Sequence, residues 1–225
     1  MRLRQTISEQ RWPKDPAFDS LKAWPRDAGV TILRRVWAAY DDLGADVLCA
    51  VNWSAAEDEI ERSLTAYHSV KIQEHQTGEE PFILVPEMPE FETRQPAPAR
   101  SKAYDFGFVM RAGDYSMIWP IEAKVLKTDR KLAPYVRDLD NKYLKCKAAP
   151  FSHEGALIGY LLSGSPGVVF DGIAAHVSQF LMSPSDPALS ERNHRISYHH
   201  REVPQGKPYP RHFRCHHLVM EVGRS

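Results

Sequence analysis

Two runs of the chain alternate apolar and polar positions, the pattern of strands with one buried face. They are Tyr104-Asp105-Phe106-Gly107-Phe108-Val109-Met110 and Met117-Ile118-Trp119-Pro120-Ile121-Glu122-Ala123-Lys124-Val125-Leu126. In the second, Met117, Trp119, Ile121, Ala123 and Val125 point one way. Glu122 and Lys124 point the other way, ~7 Å apart along the strand. The link Arg111-Ala112-Gly113-Asp114 carries the glycine and aspartate that a hairpin turn favours. A hairpin centred on Ala112-Gly113 sets Asp105 opposite Pro120 and makes Glu122 its diagonal neighbour, ~7 Å away. Two carboxylates and a lysine then converge on one patch of sheet.

The same reading places further elements around the hairpin. Residues 30–43 form a helix with Ile32, Val36, Tyr40 and Leu43 on one stripe. Residues 46–53 are an apolar run, expected as a strand or buried loop. Ser54-Ala55-Ala56-Glu57 fits a capping box opening a helix whose buried stripe holds Ile60 and Leu64. Glu57 and Glu61 flank Ile60, so either side chain can lean toward the sheet. Residues 82–86 read as a strand and residues 87–102, rich in proline, as a long loop. A helix runs through Tyr135, Leu139 and Tyr143; residues 155–162 are a fully buried strand. Residues 168–181 form a helix and residues 211–222 the last strand. Residues 1–27, with Pro13, Pro16 and Pro25, read as an extended arm. This order gives an α/β domain with a mixed central β-sheet flanked by helices. The expected division is an N-terminal extension and helix over 1–50 and the sheet domain over 51–225.

The chain has 225 residues and 43% hydrophobic content, which suits a single domain with a sizeable core. No apolar run approaches membrane-helix length, so no membrane partner is expected. The N-terminus shows no secretory pattern. The odd, scattered cysteines Cys49, Cys146 and Cys215 suggest neither a disulfide framework nor a zinc pair, and a reducing cytoplasm is the expected compartment. Net charge is zero, but the charges are segregated. Residues 40–93 hold thirteen Asp and Glu against two Lys and Arg. Residues 94–147 hold twelve Lys and Arg against six acids, and residues 192–225 seven against two. Such segregation suits a basic face toward phosphate, provided the blocks do not intermix in space. Lys127, Arg130, Lys131, Lys142, Arg192 and Arg195 are the candidate phosphate contacts.

Asp105, Glu122 and Lys124 suit a hard divalent cation, which takes a few carboxylate oxygens and leaves positions for water and phosphate. A lysine beside such a cation can orient or deprotonate water. The plainer reading is a polar strand face with a weak ion pair. His194, His199, His200, His212, His216 and His217 cluster near the C-terminus, but without the spacing of a zinc motif. No phosphate loop and no nucleophile elbow occurs.

Asp105, followed after sixteen residues by Glu122-Ala123-Lys124, resembles the PD-(D/E)XK nucleases, the restriction-endonuclease-like superfamily. Tyr104 stands where the family usually has proline. The helix opening at Glu57, the run Gly155-Ala156-Leu157-Ile158-Gly159-Tyr160-Leu161-Leu162 and the C-terminal His216-His217-Leu218-Val219-Met220-Glu221-Val222 extend the likeness over roughly residues 50–222. The resemblance implies a restriction-endonuclease-like core and magnesium-dependent hydrolysis of DNA, with manganese as an alternative metal. It implies that Asp105, Glu122 and the Ala123 carbonyl hold the metal, that Lys124 acts on water, and that Glu57 adds an acidic group from the helix. It further suggests a small bacterial protein of defence against foreign DNA, as a homo-oligomer or with partner subunits. The rival expectations are a non-catalytic nucleic-acid-binding or scaffold subunit, and a nuclease silent until a partner activates it.

Overall fold

The computed structural model describes residues 27–90, 92, 103–111 and 117–223. Its elements are α1 (Ala28–Asp41), α2 (Ala45–Ala50), α3 (Glu57–Glu74), β1 (Phe82–Pro89), β2 (Ala103–Met110), β3 (Ile118–Leu126), α4 (Ala133–Asp138), β4 (Glu154–Leu161), α5 (Pro166–Val177), α6 (Pro187–Ser190), β5 (His194–His200) and β6 (His212–Glu221). A π-helical turn, Leu139–Leu144, continues α4. The protein is α/β, with one mixed six-stranded sheet in the order β1-β2-β3-β4-β6-β5. β3, β4 and β6 are parallel to one another; β1, β2 and β5 join antiparallel. β4 lies inside the sheet and is buried along its whole length, which explains the apolar run from Gly155 to Leu161. Glu154 at its start is buried with Trp119 and Arg214 as partners.

Each face of the sheet carries its own core. Ile32, Leu33, Val36 and Trp37 of α1 and Ile60, Leu64 and Ile72 of α3 pack on Trp119, Ile121, Ala123 and Val125 of β3. The helix expected inside the N-terminal extension is thus part of this layer. On the other face Tyr135, Leu139 and Tyr143 join Val169, Phe170 and Ile173 of α5 over Ile118, Leu126 and Leu157. The strand alternation expected for β3 therefore holds, but its second face is covered too. Glu122 is only 2% exposed, rather than turned to solvent.

Several local expectations change. The β2–β3 pairing runs Val109↔Ile118 to Phe106↔Ile121, not with Asp105 opposite Pro120. Extending this register by one residue sets Asp105 opposite Glu122. A shift of two residues keeps every side chain on its expected face. The turn residues and most of the expected 87–102 loop lie outside the described residues, as do residues 1–26. Residues 46–53 are not a strand; α2 occupies their first half. α3 opens at Glu57 after Ala56, with no side-chain cap, so the capping box at Ser54 does not form. Instead Glu57, Asp58 and Glu59 place negative charge on the helix's positive first turn. β1 runs on to Pro89, and it tolerates Pro86 because it is an edge strand. Glu87 has φ of 50°, and the alternation reverses there: Phe82 and Leu84 face one core, Met88 the other. β5 was not expected at all. No helix of the described residues is long and apolar enough to cross a membrane.

Candidate active site

The β2–β3 ladder ends at Phe106↔Ile121, while β3 continues paired to β4 as far as Leu126. Asp105 sits at this fork. Its Oδ2 accepts the Ala123 N–H at 2.7 Å, taking the place of a ladder carbonyl. Glu122, Ala123 and Lys124 line the β3 side. Lys124 Nζ donates to Glu61 Oε1 of α3 and to the Ala123 carbonyl, each at 2.6 Å. Glu61 Oε2 accepts the Val125 N–H at 3.1 Å, which holds that carboxylate in two places. From the opposite layer, Lys142 Nζ lies 2.6 Å from Glu122 Oε2 and 2.9 Å from Asp138 Oδ2. Asp138 Oδ2 is also 3.6 Å from Lys124 Nζ. The sheet edge, α3 and the α4 layer thus contribute to one polar cluster.

Its supports are built into the packing. Glu61 is on the α3 face that carries Ile60, Leu64, His68 and Ile72. His68 is buried, and desolvation holds its pKa down at about 4. A neutral ring has one donor, so Nε2 donates to the Val36 carbonyl at 2.9 Å and Nδ1 accepts from the Tyr160 hydroxyl at 2.8 Å. One ring therefore ties α1, α3 and β4 together two turns from Glu61. On the other side, the Tyr135 and Tyr143 hydroxyls donate to the Leu157 and Ala156 carbonyls, both at 3.1 Å, and seat the Asp138–Lys142 segment on β4. A π-turn at a polar site is a frequent functional device, because the widened backbone re-aims its side chains.

The cluster holds four carboxylates, Glu61, Asp105, Glu122 and Asp138, against two ammonium groups, Lys124 and Lys142. Fully ionised, it has surplus negative charge in a poorly solvated place. Desolvation raises the pKa of Asp105, with Lys124 and the Ala123 N–H opposing. Glu61 is raised for the same reason, against Lys124. Desolvation pushes Glu122 up to about 8; Lys142 opposes this and Asp105 adds to it. Burial pulls the lysine values down, but the carboxylates outweigh it: Glu61 and Asp105 raise Lys124, and Glu122 raises Lys142.

Glu122 has a pH consequence. Its folded pKa of about 8 lies above the ordinary 4.5, so in that window the folded state binds more protons than the unfolded one. Stability falls with rising pH wherever the native state holds the extra proton. Glu122 therefore contributes a loss of stability as pH rises from 4.5 to about 8. The rings of His68, His199 and His217, whose pKa values burial pulls down from 6.5, contribute the opposite slope below 6.5. Glu122→Gln should make the pH dependence more positive across the Glu122 window. Thermal unfolding of both proteins across this range checks the sign. An unchanged slope in the variant would remove Glu122 as its source.

Glu57 is exposed and pairs with Lys127 at 2.8 Å, while Glu61 is the α3 carboxylate that reaches Lys124. Lys142, expected to meet phosphate, is inside the cluster. Arg192 forms a two-point pair with Asp41, its closer contact at 2.5 Å, and lies over Trp37. Arg195 lies over the Phe170 ring and donates to the His194 carbonyl. Arg130 and Lys131 are exposed beside Lys127 and Glu57, around a pocket of about 340 Å³. The acidic and basic sequence blocks intermix here: Asp41, Glu57 and Glu61 of the acidic block neutralise Arg192, Lys127 and Lys124. The C-terminal histidines pack as a hydrogen-bonded group, with His194 against His216 at 2.9 Å and His217 between Tyr135 and Ser197.

The oxygens near the fork are the hard donors that magnesium takes, and the surplus negative charge favours a divalent cation. Among the described residues, no three His, Cys, Asp or Glu side chains converge at metal-holding distance. The candidate donor set is two carboxylates and a carbonyl, with lysines seated on two of the three. A cleft of about 450 Å³ between α3 and the β1–β2 hairpin opens onto Glu61 and Asp105. Sequence reasoning left out Asp138. Its spacing of four from Lys142 on the helix after β3 was the available signal. Comparison of the chain with protein-family models, curated proteins and solved structures finds no match.

Proposed function

We propose that the protein is a metal-dependent nuclease acting on DNA, of the PD-(D/E)XK kind. The observation that carries this reading is the fork between β2 and β3, where Asp105 accepts the Ala123 N–H, Lys124 pairs with the helix carboxylate Glu61, and the adjoining Glu122 is buried against Lys142. Asp105, Glu122 and the Ala123 carbonyl would hold magnesium or manganese, and the bound cation would acidify a water and neutralise charge on the scissile phosphate. Lys124 is held at this place by Glu61, where its ammonium can orient the attacking water and stabilise the negative charge that develops. The carboxylate of Glu61, itself pinned to the Val125 N–H, fixes the direction of the Lys124 stem. The cleft beside Asp105 and Glu61 gives a substrate strand access to the fork. Defence against foreign DNA, with or without an activating partner, is the setting this chemistry suits.

Purified protein should convert supercoiled plasmid to nicked or linear DNA in magnesium and leave it intact in chelator. Equal, undetectable cleavage under both conditions would count against a self-sufficient nuclease. A second reading, a nucleic-acid-binding or scaffold subunit, is favoured by one observation: both cluster lysines are already neutralised within the protein. DNA retention without cleavage in magnesium is the result it expects.

A further inference from the structure

We propose that Lys142 is a tethered counter-ion that occupies the cation position on Glu122 and gives it up when a divalent metal binds. The inference rests on the reading of Glu122 as a metal ligand and adds a regulation of that same site. The Lys142 ammonium sits 2.6 Å from Glu122 Oε2 and 2.9 Å from Asp138 Oδ2, so it is the cation seated on the most buried carboxyl group of the cluster whenever that group is ionised. An ammonium there prevents the desolvated charges from repelling one another while the metal is absent. A divalent cation bound to Glu122 brings its charge within a few ångströms of that ammonium, and in this poorly solvated place the two cations repel.

The two partners differ in freedom. The Glu122 side chain is 3% exposed, in the middle of the sheet, whereas that of Lys142 is 20% exposed on a flexible four-carbon stem. The Lys142 backbone is fixed, because its carbonyl accepts from Lys147 N–H at 2.9 Å and Ala148 N–H at 3.0 Å. The exchange is therefore a side-chain movement: the ammonium swings outward, keeps Asp138 as a partner, and leaves the Glu122 oxygen to the metal. Lys124 is the less suitable leaving group, since Glu61, itself fastened to β3, holds it to the fork.

The test is calorimetric titration of the full chain with Mn2+, comparing wild type, Lys142→Met and Lys142→Arg. Removal of a competing cation should tighten Mn2+ binding at least about tenfold in Lys142→Met. Arginine keeps a cation with two-point carboxylate geometry, so Lys142→Arg should weaken Mn2+ binding several-fold and also serves as the test if the methionine variant does not fold. Equal affinity in all three proteins, or weaker binding in Lys142→Met, overturns the inference but leaves Glu122 as a ligand. Absence of Mn2+ binding in every protein overturns both the inference and the metal reading beneath it.

Discussion

On the nuclease reading, Lys124→Met lowers DNA cleavage in magnesium by about 10²- to 10³-fold, the usual contribution of one positioned group that stabilises developing charge. The fold should survive. The Lys124 side chain is 17% exposed, and Glu61 keeps the Val125 N–H and can bind a proton, since burial already raises its pKa. Circular dichroism should match wild type, and Mn2+ binding should persist, because Lys124 is not in the donor set. Cleavage within about threefold of wild type would remove Lys124 from the chemistry. Glu122→Ala is less clean, because the residue it truncates is buried rather than facing solvent.

The second large effect is on stability. Arg201 is 6% exposed, and its guanidinium donates to the carbonyls of Tyr143, Ala148, Ala149, Pro150 and Ser152 at 2.7–3.2 Å. These carbonyls belong to the end of the π-turn and the connection to β4, where no regular ladder satisfies them. Arg201 also lies over the Phe213 ring at 4.9 Å. Arg201→Met should therefore destabilise by about 3–5 kcal/mol, since several buried acceptors lose their partner together. Thermal unfolding should show a midpoint lowered by roughly 10 °C. A shift below about 2 °C would mean that water replaces the guanidinium without cost.

The α/β sheet and the faces of β3 were legible because Ile121, Ala123 and Val125 alternate with Glu122 and Lys124. The hairpin register was not, because the turn was centred one residue too early, and each such step moves the pairing by two. Side-chain faces survive an even shift, so Asp105 and Glu122 share a face in either register. Burial of Glu122 was hidden because it depends on Tyr135, Leu139 and Tyr143 covering the second face, a tertiary fact. Glu57 and Glu61 both flank Ile60 in sequence, and only the packing of α3 separates them: Glu57 pairs with exposed Lys127, whereas Glu61 has a fixed pair of partners on β3. β5 escaped because His194-Arg195-Ile196-Ser197-Tyr198-His199-His200 contains few apolar residues. It buries His194 and Ser197 through hydrogen bonds with His216 and His217 on β6 instead.

The central claim is that the fork between β2 and β3 is a metal site. A crystal soaked in Mn2+ and measured for anomalous scattering tests it most directly. The account predicts one peak bonded to Asp105, Glu122 and the Ala123 carbonyl at roughly 2.0–2.3 Å, with the Lys142 ammonium turned away from Glu122. A map without a peak there, with Lys142 still seated on Glu122, would contradict it.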